Sequence, residues 1–407
     1  MISIHEALTI IKENIPPPVV AEYPLDLAVG RYLAEDILAP EPSPRFTNSA
    51  MDGYALRWSD LRSPTPEQPT PLALVGESRA GVPFGGTVAR GEAVRISTGA
   101  MLPAGADTVI RVEDTREAGQ NVLISSAKRL GQDVRRQGEE FGEGDLLLPR
   151  GTRIGAPQAA LLATVGLDQV RAFAPASVAL LVTGSELVAS GAAIAPHQIR
   201  DSNMIMLRAA VRESGATLLS STRVADDRQA TNAAISQATG DLILCTGGVS
   251  VGRHDHVKEA AEENGFTPLF WRVRQKPGKP LYLAKKSRTL LFGLPGNPVS
   301  AFMCFAHYVR PLLGALSGLP FGWPTISARA AEEIANRGGR PNMLRVRVNR
   351  DQDGGNTITS GEKQGSHMLT SLANGDGYII LEPGQSLRAG EQVVVYSYDF
   401  RREPTGR

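Results

Sequence analysis

The sequence predicts a multidomain protein with a central α/β domain and two β domains, and three observations support this prediction. A chain of 407 residues is too long for a single compact core. Apolar strand-like runs alternate with helical patterns through residues 178–318, which is typical of a mostly parallel sheet covered by helices. On both sides of that region, short apolar runs separated by glycine and proline indicate strands and turns.

The N-terminal segment is predicted to begin with a helix. Ser3 and Glu6 have the spacing of a capping box, apolar residues follow at helical intervals, and the prolines at positions 16–18 end the pattern. Residues 25–38 are expected to form a short strand, a turn, and then a helical or extended return.

Changes of pattern divide the chain into four domains. Three prolines within residues 40–44 mark a first boundary, and a later helix over residues 157–165 is expected to pack beside the N-terminal segment. The β region between them is then an insertion. The predicted domains are an elongated, discontinuous domain of residues 1–46 and 139–176, an inserted all-β domain of residues 47–138, an α/β domain of residues 177–320 and a β-barrel-like domain of residues 325–407.

The α/β domain shows the clearest secondary-structure pattern. Asn297 is placed to cap its last helix, and Pro298 suits the first turn of that helix. Strands are predicted over residues 178–182, 217–224, 242–245, 270–274, 281–284 and 289–292, and helices over residues 203–214, 257–263 and 299–316, with another ending at residue 238. In the C-terminal domain, strand-like runs occupy residues 344–348, 357–359, 378–381 and 392–395.

Composition argues against several classes of partner. The formal net charge is +1, so no overall field favours nucleic acid or a membrane surface. Cys245 and Cys304 are the only cysteines, and both lie in apolar runs that suit small buried side chains rather than disulfides. No stretch approaches the ~20 apolar residues that a membrane span needs, and the N-terminus lacks a signal-peptide pattern. A cytoplasmic protein is therefore predicted.

Polar loops follow several strands of the α/β domain. Three of these strand ends carry a carboxylate, namely Glu186, Asp226 and Asp255. Parallel strands end at one edge of a sheet, where ligands commonly bind, so we expect these side chains to lie near one another. Any one acid could cap a helix or face solvent, but a group of acids repel one another unless they hold a cation or a polar ligand.

Two further loops indicate an anion at the same edge. The glycines Gly247 and Gly248 let the backbone turn sharply after a strand. Lys276 and Lys279 alternate with prolines, which limit the entropy lost when a loop holds an anion. The histidines flanking Asp255 are spaced poorly for zinc, whereas acids and lysines suit magnesium with phosphate. Nucleotide-binding fingerprints of the Walker or dinucleotide type do not occur.

Seven motifs in sequence order resemble those of the molybdopterin molybdenumtransferases, the family of MoeA and the E domain of gephyrin. The resemblance spans nearly the whole chain. The motifs lie at residues 49–55, 97–100, 135–139, 183–187, 246–252, 276–280 and 293–298.

The resemblance implies a fold, a reaction and partners. Subunits of four domains, one with the MogA-like three-layer α/β fold, form an elongated homodimer whose active cleft is shared between subunits. Molybdate and adenylylated molybdopterin are the implied substrates, Mg²⁺ is the implied cofactor, and AMP and molybdenum cofactor are the products. Contacts with molybdopterin adenylyltransferase and with acceptor molybdoenzymes are also implied.

Site residues follow from the same resemblance, position by position. Asp226 and Asp255 are the implied Mg²⁺ ligands. Catalytic roles fall on Asp52, Thr98, Glu186, Asp226 and Asp255. Substrate-binding roles fall on Arg135, Gly247, Gly248, Ser250, Lys276, Lys279, Pro295, Pro298, Arg345 and Ser366. One motif departs from the family pattern, because Gln137 precedes Gly138 and Glu140 stands where relatives often carry aspartate.

Three functions are compatible with the sequence. The first is molybdenum insertion, and the second is molybdopterin adenylylation or tungsten insertion, since the α/β domain alone fits either. The third is a non-catalytic scaffold, which the intact acids at the site positions disfavour. The N-terminal, β-insertion and C-terminal domains favour the insertase.

Overall fold

The computed structural model describes residues 1–249, 255–361 and 364–400, and the chain divides into two compact units. The large unit comprises Met1–Glu35, Gly151–Ala159 and the described residues from Asp168 onward, and the small unit comprises Asp36–Arg150 and Ala160–Leu167. The division falls within the helix Ala156–Thr164.

A six-stranded sheet forms the centre of the large unit. Its first four strands pair in parallel, and the remaining two pairings are antiparallel because the fifth strand runs in the opposite direction, which confirms the mostly parallel sheet. The central strands are mainly apolar and almost wholly buried because helices cover both faces of the sheet. In spatial order the strands are Thr217–Val224, Ser177–Thr183, Leu242–Thr246, Thr289–Leu294, Tyr282–Lys286 and Thr267–Trp271.

The helices around this sheet begin at recognisable caps. Asp201 and Asp227 accept hydrogen bonds from the backbone N–H groups of Met204 and Ala230, at 2.9 and 2.8 Å. A π-helical turn interrupts the last helical stretch between two α-helical segments. The helices are Ser202–Glu213, Arg228–Gln237, Val257–Glu263, Pro298–Cys304, Phe305–Val309 (π) and Arg310–Leu316.

The predicted role of Asn297 as a helix cap is wrong. Asn297 occupies the cap position, and Pro298 starts the helix as predicted, but the Asn297 side chain makes no capping bond. The N–H of Val299 instead donates to the carbonyl of Ser366 at 3.2 Å, and Asn297 Nδ2 donates to Ser366 Oγ at 3.4 Å. A loop from the C-terminal domain therefore satisfies this helix end.

The stretch Pro298–Leu316 corrects the expectation that no segment is long and apolar enough to span a membrane. It is 19 residues long, and its most apolar 18-residue window has a mean hydropathy of 1.3, which meets that test by length and composition. Of its most apolar window, 83% is buried inside the structure. Packing in the protein core therefore accounts for its composition.

The first helix, Ile4–Asn14, has the predicted capping box. Ser3 Oγ accepts from the N–H of Glu6 at 3.1 Å, and Glu6 Oε2 accepts from the N–H of Ser3 at 2.7 Å. Ala7 and Ile11 of this helix join the main core of the large unit.

The strand expected to open residues 25–38 is instead the helical turn Leu25–Ala28. The strand lies just before it, Val20–Pro24, where it pairs antiparallel with Gln169–Phe173. Pro24 closes this strand, because proline has no N–H to extend a ladder. Ile37–Leu38 forms the extended return.

A closed barrel follows in the C-terminal region and confirms the β-barrel-like prediction. Its interior is filled by alternating apolar side chains from all five strands. A two-stranded pair, Ile334–Ala335 with Ser386–Leu387, and the helix Thr370–Ala373 accompany it. The barrel strands are, in order, Thr325–Ala330, Asn356–Ser360, Asn342–Arg350, Gly377–Leu381 and Gln392–Ser397.

The small unit contains the inserted β sheet that the sequence predicts. Gly53 is required there, because a Cβ at this position would lie 2.0 Å from the carbonyl oxygen of Ile110 on the next strand. Two short pairs and two 3₁₀ turns, Trp58–Asp60 and Val112–Asp114, complete the unit. The sheet strands are Thr108–Arg111, Gly53–Leu56, Glu92–Ile96, Thr70–Ser78, Asn121–Ile124 and Thr115–Ala118, and the pairs are Asn48–Ser49 with Val134–Arg135 and Ile37–Leu38 with Leu146–Leu148.

Both cysteines are buried free thiols, as predicted. Burial raises the pKa of Cys245 to about 12 and raises that of Cys304 as well. Neither thiol is therefore ionised at neutral pH, and both serve as small core side chains.

The buried His307 is expected to make stability depend on pH near neutrality. The ring is buried against Trp323, its Nδ1 lies 2.9 Å from the hydroxyl of Tyr378, and burial lowers its pKa from 6.5 to about 3. Because the folded state resists protonation, the stability due to the neutral ring is complete above pH 6.5 and is lost as pH falls toward 3.

The variant His307→Phe tests this effect. We expect the thermal midpoint of the unmodified protein to fall between about pH 7 and pH 5, before most carboxylates titrate, and that of the variant to fall less. Thermal melts across this range measure the difference. Equal slopes for the two proteins would show that His307 is not the responsible group.

A candidate active site at the strand ends

A cleft of about 460 Å³ lies at the carboxyl ends of the parallel strands in the large unit. Loops from separate strands meet around it, and they bring together many side chains that the sequence selects from distant positions. Of the predicted site residues, those lining the cleft are Glu186, Asp226, Asp255, Gly247, Gly248, Pro295 and Pro298.

The two glycines form a turn that no other residue would fit without strain. Their φ angles are +84° at Gly247 and +64° at Gly248. A Cβ on Gly247 would lie 2.5 Å from Thr183 Oγ1 and 2.7 Å from the Thr183 carbonyl oxygen. The N–H of Gly247 donates to the carbonyl of Leu294 at 3.1 Å, so this donor is used within the protein.

Asp226 is held by a reciprocal pair of hydrogen bonds. Its Oδ2 accepts from the N–H of Ser185 at 2.9 Å, and its own N–H donates to Ser185 Oγ at 3.1 Å. The next residue, Asp227, caps a helix instead. Of two adjacent aspartates, one therefore stabilises a helix and the other faces the cleft.

The other two acids reach the cleft from their own strand ends. Glu186 is exposed, and its carbonyl accepts from the N–H of Ile199 at 2.9 Å. Asp255 is half-buried. Burial lowers the pKa of the nearby Lys258 ammonium, and the negative charge of Asp255 opposes that shift.

A buried polar junction, which sequence reasoning missed, supports the cleft floor. Thr246 Oγ1 donates to the carbonyl of Pro295 at 3.0 Å and accepts from Asn203 Nδ2 at 3.1 Å. Asn203 Nδ2 also donates to the carbonyl of Gly296 at 2.7 Å. This junction connects a helix, a strand and the proline loop. In the sequence, only the polar triplet at residues 201–203 indicates it.

The lysine loop lies beside the cleft rather than in its lining. Lys276 and Lys279 are both exposed, and Pro280, which follows Lys279, lines the cleft. Neither ammonium forms an ion pair with any residue that the structure describes. Gly278 is required at φ +87°, because a Cβ there would lie 2.3 Å from Cys304 Sγ.

Arg345 and Ser366 are placed differently from each other. Ser366 contacts the cleft-lining Asn297, as described above. Arg345 is only 2% exposed and does not line the cleft; its Nη2 donates to the carbonyl of Gly365 at 3.3 Å. Gln364 Oε1 accepts from the N–H of Arg345 at 3.1 Å, and Gln364 Nε2 donates to the carbonyl of Arg345 at 2.9 Å. Arg345 therefore supports the turn that carries Ser366.

Two residues considered in the sequence analysis, Ser250 and His254, lie outside the described residues. The cleft also contains a cation that sequence reasoning missed, the exposed Arg200. Its position before the capping Asp201 gives no functional signal in the sequence.

The small unit carries a second group of predicted residues. Asp52 Oδ1 accepts from the N–H of Thr98 at 2.6 Å and from Thr98 Oγ1 at 3.0 Å. These bonds, the backbone bond first, lower the pKa of the Asp52 carboxyl. Arg135 is exposed on a short strand beside Asn48. The arrangement provides an ionised carboxylate with a fixed orientation.

A substitution at Thr98 tests the origin of this pKa shift. In Thr98→Val the backbone donor remains but the hydroxyl donor is lost, so the pKa of Asp52 should rise part of the way toward its ordinary value. Thr98→Ser keeps the hydroxyl and should leave the pKa where it is. Carboxyl-carbon NMR titration of the three proteins measures both effects, and an unchanged pKa in Thr98→Val would assign the shift to the backbone alone.

Glu140 has a structural contact in the small unit. Its Oε2 accepts from Ser43 Oγ at 2.8 Å, and its N–H donates to the Ser43 carbonyl at 2.9 Å. The longer side chain at this motif position therefore fastens the proline-rich segment around Ser43.

The donor set of the cleft fits magnesium better than zinc. Within the described residues, no three His, Cys, Asp or Glu side chains are grouped closely enough to enclose a metal ion. Asp226 and Asp255 nevertheless supply two carboxylates to one cleft. Mg²⁺ is usually held by one or two carboxylates together with water and substrate phosphate oxygens.

Comparisons with known proteins agree along the whole chain. Three sequence families match in order: the MoeA N-terminal region (domain I and II) at residues 2–166, a probable molybdopterin binding domain at residues 179–315, and the MoeA C-terminal region (domain IV) at residues 327–398.

Individual relatives match at similar lengths. A molybdopterin molybdenumtransferase of Haemophilus influenzae is 34% identical, over 98% of this chain and 99% of its own. One of Bacillus subtilis is 33% identical, over 91% and 88%. The solved structure of a molybdopterin biosynthesis MoeA protein from Pyrococcus horikoshii, 32% identical, covers 98% of this chain and 99% of its own with a TM-score of 0.83. This chain therefore belongs to the MoeA family of molybdopterin molybdenumtransferases.

Proposed function

We propose that the protein is a transferase of molybdenum cofactor biosynthesis that inserts molybdenum from molybdate into adenylylated molybdopterin and releases AMP. One observation carries the proposal: a single cleft gathers three acids, the glycine turn and the proline loop from separate strand ends, with the lysine loop beside it. The names of the full-length relatives, molybdopterin molybdenumtransferases, support the same reaction class.

The charges around the cleft suit two anionic substrates. Adenylylated molybdopterin is polyanionic and molybdate is a dianion, so their repulsion must be screened before they can react. Lys276, Lys279 and Arg200 supply positive charge at or beside the cleft. Because Gly247 already donates its N–H to Leu294, a backbone contact from the turn to an anion falls to Gly248.

The acids have separate proposed roles. Asp226 and Asp255 would hold Mg²⁺, which, when bound, would polarise the phosphate bridge. The hydrogen bond from the N–H of Ser185 fixes the orientation of the Asp226 carboxylate, which supports this role. Asp52, kept ionised by Thr98, would orient or deprotonate the attacking nucleophile. Glu186 adds a further carboxylate at the cleft.

The family resemblance supports a homodimer in which Asp52 serves the cleft of a second copy. It also supports transient contacts with molybdopterin adenylyltransferase and acceptor molybdoenzymes, and a cytoplasmic location. Tungstate is the rival metal substrate, because tungstate and molybdate share charge and geometry.

Activation of an apo-molybdoenzyme tests the proposal. Purified protein, adenylylated molybdopterin, molybdate and Mg²⁺ should yield cofactor that restores activity to the apo-enzyme, and omission of molybdate should prevent this. Parallel reactions with tungstate identify the metal substrate. If the protein acts only on ATP and free molybdopterin, it is the adenylyltransferase. If no mixture gives a product, the scaffold hypothesis gains support.

A further inference from the structure

A second cavity of about 470 Å³ in the large unit has an unusual charge distribution. Four arginines line it, Arg31, Arg153, Arg212 and Arg310, from segments far apart in the sequence. Among the residues that the structure describes, Glu213 is the single carboxylate residue in its lining. None of the described residues is common to this lining and that of the strand-end cleft.

Two of these guanidinium groups are held in place by backbone carbonyls and aromatic rings. Arg310 is 8% exposed, donates to the carbonyls of Ser397 and Asp399 at 3.3 and 2.9 Å, and lies 4.7 Å from the ring centroid of Phe400. Arg31 donates to the carbonyl of Leu27 at 3.1 Å and stacks on a tyrosine ring. Carbonyls and rings fix the orientation of a guanidinium without neutralising it. Burial lowers the pKa of Arg310, and the nearby acidic groups of Tyr378 and Asp399 oppose that shift.

The other two arginines are exposed at the cavity. Arg212 lies at the end of the helix Ser202–Glu213, and Arg153 lies on the segment that follows Gly151. Within the described part of the chain, neither Arg153 nor Arg212 forms an ion pair, and Arg31 forms none either. The guanidinium groups of these three arginines can therefore bind a ligand without breaking an existing ion pair.

The positive charge in the lining favours an anionic occupant. Like charges around one cavity repel, and a bound anion relieves that repulsion. Guanidinium groups bind phosphate oxygens in a bidentate manner, which makes clustered arginines typical of phosphate recognition. The remaining walls include the rings of Phe173 and Phe400 and the prolines Pro175 and Pro311, which suit an apolar group attached to the anion. The cavity volume is in the range usual for small-molecule sites.

We propose that this cavity binds a small organic phosphate, with the phosphate among the arginines and the organic group against the aromatic walls. The site is separate from the cleft of the proposed reaction. It could therefore hold a phosphorylated ligand while the cleft is occupied, and its occupancy does not depend on catalysis.

Titration calorimetry with the full-length protein tests this site. The probes are AMP, inorganic phosphate and adenosine, and the test variant is Arg153→Gln/Arg212→Gln, whose exposed side chains can change without disturbing the core. Arg208→Gln, one turn earlier on the same helix and outside the cavity lining, is the matched control. Because AMP is also the proposed product at the cleft, each titration is repeated in the Lys276→Gln/Lys279→Gln background, which removes positive charge proposed to hold anions at the cleft.

We expect AMP and phosphate to bind the unmodified protein and the control, with AMP the tighter, and adenosine to bind far more weakly. In the double variant, the affinity for both anions should fall by at least ~10-fold, as expected for lost charge-assisted bonds. Equal affinities in the double variant and the control would overturn the proposal, as would tight adenosine binding or no anion binding to the unmodified protein. None of these outcomes depends on whether the protein transfers molybdenum.

Discussion

Replacing Asp226 with asparagine is expected to slow AMP release by at least about 100-fold. Asparagine can still accept the hydrogen bond from the N–H of Ser185, so the loop should keep its shape. It removes the negative charge that the proposed cation site requires. The thermal midpoint should therefore hardly change while turnover is lost, and a discontinuous assay of AMP together with a thermal melt measures both quantities.

The neighbouring residue provides a matched control. Asp227 has the same side chain but caps a helix through the N–H of Ala230. Asparagine is an equally good cap, so Asp227→Asn should preserve both stability and turnover. If Asp227→Asn slowed AMP release as much as Asp226→Asn, the effect would come from the loop as a whole, and Asp226 would have no special role.

Mixing two inactive variants is expected to restore activity. In a homodimer that shares its clefts, a heterodimer of Asp52→Ala and Asp255→Ala has one cleft with both acids intact and one with neither. After random exchange of subunits, about a quarter of all clefts should be intact. AMP release should then return to roughly that fraction of the unmodified rate, while each variant alone stays inactive.

Two controls make this result interpretable. Size-exclusion chromatography with light scattering establishes that the variants are dimers and exchange subunits. A mixture of Asp226→Asn with Asp255→Ala should stay inactive, because both acids belong to the cleft of the same subunit and each cleft of the heterodimer therefore keeps one lesion. If verified heterodimers of Asp52→Ala and Asp255→Ala show no recovery, Asp52 does not complete the cleft of a second subunit.

Local sequence patterns were sufficient to predict the central sheet and most of its helices, because the signals for these elements are short-range. Strands such as Leu242–Thr246 are fully buried and apolar up to their last residue, and the helix Val257–Glu263 has the predicted bounds. The acids at three strand ends could be grouped in advance, because parallel strands end at one edge of the sheet. The structure brings Glu186, Asp226 and Asp255 to one cleft.

Features that depend on contacts between distant segments could not be predicted in this way. The sequence around Asn297 has the form of a cap, yet Ser366, from a separate domain, supplies the acceptor for that helix end. The junction of Asn203 with Thr246 joins residues 43 positions apart. The arginine cavity likewise combines segments whose local patterns are unremarkable, so only the folded chain reveals its charge.

The central claim is that the strand-end cleft binds adenylylated molybdopterin. Hydrogen exchange on the unmodified protein tests this claim most directly, measured with and without this substrate and in the absence of molybdate. We expect the ligand to slow amide exchange in residues 183–188, 246–249 and 295–298, which surround the cleft, and to leave the barrel strands unchanged. Protection confined to segments outside the cleft, or no protection at saturating ligand, would contradict the account.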